Sequence, residues 1–140
     1  MGGVDPLQEI RREAAWENQS GAEAAARRLV LAGPVDEAVA LLAGELLRLE
    51  HVDLTDDAGD GADEVARLNA AIRAGLREAG EAAVQWLVLL VDGPPTWQRI
   101  SALEVLAPYG RSEARAAADR WLAMDLDELT SRHIRQLMAP

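Results

Sequence analysis

Read from its N-terminus, the chain repeats one pattern: apolar residues three and four positions apart, interrupted by Gly, Pro, Asp or Ser. Leu7, Ile10 and Ala14 make the first stripe, with Trp16 beside it, behind an Asp5-Pro6 start. Asp suits an N-cap, Pro the first helical position, and Gln8 is placed for a capping box. Ser20 and Glu23 read as a second capping box, so one helix is predicted to end near Gln19 and the next to run to Ala32. Gly33-Pro34 stops that helix and starts another. Its stripe is Val35, Val39, Leu42, Leu46 and Leu49, widened by Leu41 and Leu47, with the 3.6-residue period of an amphipathic helix. Residues 51–61, HVDLTDDAGDG, break the pattern with loop chemistry. Asp60 or Asp63 would cap the following helix, whose stripe of Val65, Leu68, Ile72 and Leu76 ends at Gly80.

The second half is organised around residues 81–107, EAAVQWLVLLVDGPPTWQRISALEVLA, which read as one helical hairpin. Its first arm is apolar nearly all round, with Val84, Trp86, Leu87, Val88, Leu89, Leu90 and Val91. That composition predicts a helix in the middle of a fold with Trp86 in the core. A buried strand has the same signature, but it would find no partner strand in this chain. Pro94-Pro95 forces the break, and Thr96 would cap a helix carrying Trp97, Ile100, Leu103 and Leu106. Ser112 would cap the next, burying Ala114, Ala117, Ala118, Trp121 and Leu122, with Trp121 packed against an adjacent hairpin. Asp125 with Glu128 reads as a last capping box, and Leu126, Leu129, His133, Ile134 and Leu137 close the chain. The expectation is a single all-α domain over residues 1–140, with about eight short helices and one acidic loop.

A faint internal echo runs through the second half. Asp92 precedes Arg99 by seven residues, as Asp125 precedes Arg132. Trp86-Leu87 recurs as Trp121-Leu122, and Ile100 with Leu103 recurs as Ile134 with Leu137. Offsets of 33 to 35 residues fall in the range of helical-hairpin repeats. Residues 81–107 resemble a HEAT repeat: Val84, Leu87 and Leu90 match its first helix, Asp92 its turn acid, Arg99 its arginine, and Ala102 with Leu106 its second helix. The following stretch departs from that pattern, because Arg135 stands where the family has Ala. Residues 22–49 resemble a tetratricopeptide-like hairpin through Gly33, Glu37 and Ala38. The resemblance implies a short α–α superhelix in which Asp92 and Arg99 hold the turn structurally; an irregular helical bundle is the alternative. Neither fold fixes a function.

Charge narrows the partners. The chain carries 24 acidic and 14 basic residues, a net charge of −10. Ten of the acids lie between residues 36 and 64, against the single base Arg48. Nucleic-acid binding rests on basic side chains that neutralise phosphates, so it is not expected. A basic protein partner is compatible, and so is a solvated face that only aids solubility. There is no Cys, hence no disulfide, thiolate metal site or cysteine nucleophile. All the basic residues are Arg, which reads as a coding-sequence bias rather than a site. No signal-peptide pattern opens the chain and no apolar run is long enough to span a bilayer, so a cytoplasmic protein is expected.

Candidate chemistry is sparse. His51 and His133 are far apart, with no Ser-His-Asp or metal-ligand spacing around either. Asp53, Thr55, Asp57 and Glu64 fit positions 1, 3, 5 and 12 of a calcium loop. Ala58 takes the place of the turn glycine and Asp60 that of the apolar anchor, so a solvated linker is expected instead and neither metal nor cofactor is called for. The residues expected to meet a partner are Trp97, after the Pro-Pro turn, Trp16, between Glu13 and Glu17, and the loop acids Asp53, Asp56, Asp57 and Asp60. Structural roles fall to Asp92, Arg99, Trp86 and Trp121. Together these imply a non-enzymatic protein–protein interaction module, with an inhibitor or immunity-type protein for a basic partner as its special form. A helical bundle binding a small molecule between Trp86, Trp121 and Tyr109, and a structural component that forms a homodimer, are the alternatives.

Overall fold

The computed structural model describes residues 5–52 and 60–139 of the chain, residue 60 by its backbone alone. Among these residues the regular structure is entirely helical. No helix in this part of the chain is long and apolar enough to cross a membrane. The helices are α1 (Gln8–Ala15), α2 (Gln19–Ala32), α3 (Val35–Leu49), α4 (Asp60–Ala79), α5 (Val84–Val91), α6 (Trp97–Leu106), α7 (Ser112–Leu122) and α8 (Glu128–Met138). Single 3-10 turns at Gly80–Ala83 and Ala107–Tyr109 join α4 to α5 and α6 to α7. The chain divides into two compact units, Met1–Ala83 and Val84–Pro140.

In the first unit α2 packs chiefly on α4, while α1 and α3 each touch both. The predicted stripes point inward: Ile10, Val39, Leu42, Leu46, Leu68, Ile72 and Leu76 are buried. The crossing of α2 and α4 is made close by Ala26 and Gly75. A Cβ on Gly75 would stand 2.7 Å from Leu42 Cδ1 and 3.1 Å from the Ala26 Cβ, too near for an unrelaxed core. The first helix ends earlier than Gln19. Glu17 takes a left-handed φ of 61°, and the cap of α2 is Asn18, which accepts from the Gly21 N–H at 3.0 Å, so Ser20 lies inside the helix. Asn69 on α4 is buried, and its side-chain nitrogen and oxygen have no hydrogen-bond partner among the described residues.

The main polar feature of this unit is also buried. Glu45 lies on the inner face of α3 among Leu42, Leu46 and Leu49, and its side chain is only 2% exposed. Arg11 of α1 donates to it from Nε at 2.9 Å and Nη2 at 2.7 Å. Arg48 donates from Nε at 2.8 Å and Nη2 at 2.7 Å. Burial alone would raise the carboxyl's pKa, but the hydrogen bonds from Arg48 and Arg11 reverse that and hold it at about 2. Both guanidinium groups are correspondingly held more firmly protonated by the Glu45 carboxylate. Glu45 therefore does not belong to an acidic surface, although it falls in the acidic segment of the sequence.

In the second unit α5 packs on α6 and α7, and α8 completes the set by packing on the same two. Val84, Leu87, Leu90 and Val91 form the buried side of α5. Trp86 is not a core residue: it is 37% exposed, and Leu89 beside it is also exposed. A two-turn helix with two packed neighbours can bury only part of its circumference, and residues 86 and 89 share the remaining side. Trp121, by contrast, is fully buried, so the Trp86-Leu87 and Trp121-Leu122 echo joins positions with opposite surroundings.

The C-terminal end of α5 is where this unit is fastened. A helix leaves its last carbonyls unpaired, and here side chains from two other helices supply the donors. Arg99 Nη1 reaches the Leu90 oxygen at 2.9 Å. Arg120 Nη2 reaches the Val91 oxygen at 2.7 Å, and the Trp121 indole N–H donates to the Gly93 oxygen at 2.8 Å. Cationic groups suit this pole of a helix. Gly93 leaves room for the Arg99 guanidinium, since a Cβ there would lie 2.6 Å from Arg99 Nη1 and would push that side chain aside. Arg99 thus secures the turn of its own hairpin, while the link from the following helix is made by Arg120 and Trp121.

Candidate functional site

Two of the helix starts in the second unit present apolar side chains outward. Pro94 and Pro95 end one segment, and Thr96 caps α6 by accepting from the Arg99 N–H at 3.2 Å, as its sequence predicts. Trp97, the first residue of α6, therefore precedes the packed stripe and is 44% exposed. The start of α8 is set by Asp127, not by Asp125. Asp127 accepts from the Thr130 N–H and hydroxyl, both at 2.8 Å. Those two bonds hold its carboxyl below the usual carboxylate range. Leu129, in the first turn of α8, is 73% exposed. Similarly, α7 begins at Ser112 with Arg111 as its cap residue and no side-chain cap bond, so Ser112 does not cap it.

Between these starts lies an open groove of about 390 Å3. Its floor and walls are Pro95, Trp97, Ile100, Leu126 and Leu129, with Asp127, Thr130 and His133 at the polar margin. Every polar group of that margin has a partner inside the chain. Asp127 and Thr130 bind each other, and His133 Nε2 stands 2.6 Å from Glu104 Oε1. What remains unpaired is apolar surface. Asp125 is exposed just before the groove, and Glu128 lies 3.5 Å from Arg135.

The other sequence candidates are dispersed. Trp16, in the first unit, is 70% exposed with the Arg12 guanidinium 5.7 Å from its ring centroid. Asp53, Asp56 and Asp57 lie outside the described residues, as does most of the calcium-loop pattern, and Asp60 opens α4. Asp92 is exposed at the turn after α5. His51 is exposed beyond the end of α3, far in sequence from the groove that His133 lines. Among the described residues no group of three or more His, Asp or Glu side chains is placed to hold a metal ion. Trp86, Trp121 and Tyr109 differ in burial, being exposed, fully buried and half-buried respectively.

The sequence pattern does not mark Leu126 and Leu129 as groove residues, because an apolar residue just before a helix or in its first turn fits a core stripe equally well. The signal that could have found them is the run Asp125-Leu126-Asp127-Glu128-Leu129, in which an acid precedes each leucine. Comparison with protein-family models, with curated proteins and with solved structures finds no match to this chain.

Proposed function

We propose that the chain is a non-enzymatic protein–protein interaction module, built on α–α hairpins of the HEAT-like kind, that engages a basic partner. The observation that supports this reading is the Trp97–Leu129 groove. Large apolar side chains are exposed there with the neighbouring polar groups already bonded to one another. Exposed aromatic anchors beside aliphatic surface are the usual centre of an interface. The acidic segment at residues 36–64 would add long-range attraction, raising the rate of encounter with a basic protein.

A photoreactive phenylalanine analogue at Leu129, introduced into the full chain in its native host, tests the reading. Discrete protein adducts are expected, lost when Trp97→Ser is added. An adduct pattern unchanged by Trp97→Ser, or no adducts, would sink it. For the captured partner, affinity should fall steeply with salt. Affinity lost through Trp97 changes but indifferent to salt would keep the module and remove the acidic segment from it.

A further inference from the structure

Helix α8 is the least anchored element of the second unit. It buries one side chain along eleven residues, Ile134, whereas α5 buries four in eight and α6 seven in ten. Two hollows open to solvent flank it. The groove of about 390 Å3 runs beside its N-terminal half, at Leu129, Thr130 and His133. A second hollow, of about 330 Å3, lies between Leu137 and Met138 at its other end and Ala107, Gly110 and Ala114. Close packing is what binds a helix to its neighbours, and the fully packed part of α8 is the turn around Ile134.

Two side-chain bonds add to that contact, one near each hollow. His133 Nε2 stands 2.6 Å from Glu104 Oε1 on α6, the two side chains being 43% and 20% exposed. Arg115 of α7 donates to the Met138 oxygen at 3.2 Å from an exposed position. Bonds this accessible to water contribute little each, since water replaces them when they break. Glu128, Arg132 and Arg135 pair with one another along α8 itself.

The connection leading into α8 leaves it room to move. Ala123, Met124 and Asp125 are exposed. The backbone bonds there are short-range, from the Met124 N–H to the Trp121 oxygen and from the Leu126 N–H to the Met124 oxygen. Just before this connection the chain is fixed, since Trp121 is fully buried and bonded to the Gly93 oxygen. Eleven residues are too few to stay helical alone in water, so release of α8 also melts it.

We infer that α8 is a strap that opens and unwinds on its own, hinged at residues 123–127, while α5, α6 and α7 stay folded. The Trp97 groove exists only while the strap is closed, because Leu126, Leu129, Thr130 and His133 belong to the strap or to its hinge. Opening of the strap thus controls the groove, and it does so whatever the groove meets.

Amide exchange of the full chain, read residue by residue in rising sub-denaturing urea, supplies the test. The amides of residues 132–138 are expected to exchange at least about tenfold faster than the protected amides of α7, together and with little dependence on urea. Ile134→Val should speed them by about fivefold and leave α5, α6 and α7 unchanged. His133→Gln should speed them roughly twofold. Exchange of α8 and α7 at one rate with one urea slope would overturn the strap, as would Ile134→Val speeding α7 as much as α8. Rates that fall off steadily from residue 138 inward would also overturn it, as the mark of a fraying chain end and not of a hinged helix.

Discussion

Replacing Glu45 by Gln tests the buried Arg11–Glu45–Arg48 cluster directly. The carboxyl titrates at about 2 in the folded chain against the ordinary 4.5 of a solvated glutamate, a difference worth about 3 kcal/mol to the folded state at neutral pH. Because this pKa is depressed, the contribution is complete above pH 4.5 and disappears as pH falls through about 2. Glu45 itself is almost fully shielded, but Arg11 and Arg48 are 37% and 50% exposed. Water therefore compensates part of what they lose, and the expected cost of Glu45→Gln at pH 7 is about 2 kcal/mol. For a chain of this length that lowers the melting temperature by roughly 5–8 °C.

Urea unfolding of both proteins at pH 7, and at steps from about pH 4.5 to about pH 2, supplies the measurement. The gap between wild type and variant should be constant down to pH 4.5 and should close towards pH 2. Amides of α1, tied to α3 through Arg11, should exchange faster in the variant at neutral pH. A gap that stays the same at low pH would show that Glu45 contributes through shape and not through its charge. A variant as stable as wild type at pH 7 would refute the account entirely.

Three further substitutions address other features. Asn69→Leu replaces a buried amide without a partner among the described residues by an apolar side chain of similar size, and should raise stability by about 1 kcal/mol in the same unfolding assay; a loss of stability would mean the amide is satisfied. Glu17→Gly removes a Cβ from a left-handed backbone position and should stabilise by up to about 1 kcal/mol, measured by thermal melting, with a lower melting temperature counting against the strain. Trp121→Phe keeps most of the buried ring but deletes the N–H that serves the Gly93 oxygen. It should cost about 1–3 kcal/mol, read by unfolding followed through the second unit's amides, and a neutral result would show that the hydrogen bond matters little.

The helices were legible because their stripes are built from Leu, Val, Ile and Ala at spacings that no other element shares. Thr96 was readable as a cap because the two prolines before it leave no competing start. Elsewhere capping chemistry was ambiguous. Asn18 and Ser20, or Asp125 and Asp127, each offer a suitable oxygen, and the choice depends on where the preceding turn ends. Glu45 is the instructive miss. It stands three residues after Leu42, inside the stripe of α3, so periodicity alone placed it inward. Its charge suggested the surface, and its counter-ion Arg11 lies 34 residues away, beyond any local signal. Trp86 failed for the opposite reason: hydrophobicity said core, while the number of neighbours available to α5 decided otherwise. The groove depends on which first-turn residues escape coverage, a property of the tertiary arrangement of α6 and α8.

The fastening at the end of α5 bears on how the second unit opens. An eight-residue helix is too short to persist alone in water. Its last carbonyls are bound by Arg99 from α6 and Arg120 from α7, and the Trp121 indole of α7 binds the Gly93 oxygen in the turn just beyond. Release of α7 would remove Arg120 from the end of α5 and Trp121 from the turn after it, while uncovering the Trp121 ring. The amides of α5 and α7 should therefore exchange with solvent in one shared opening event, at a common rate, whereas exposed turns exchange independently. Such coupling would make the turn at Gly93 the latch of a single cooperative body, since the bonds from α6 and α7 meet there, just before α6 begins.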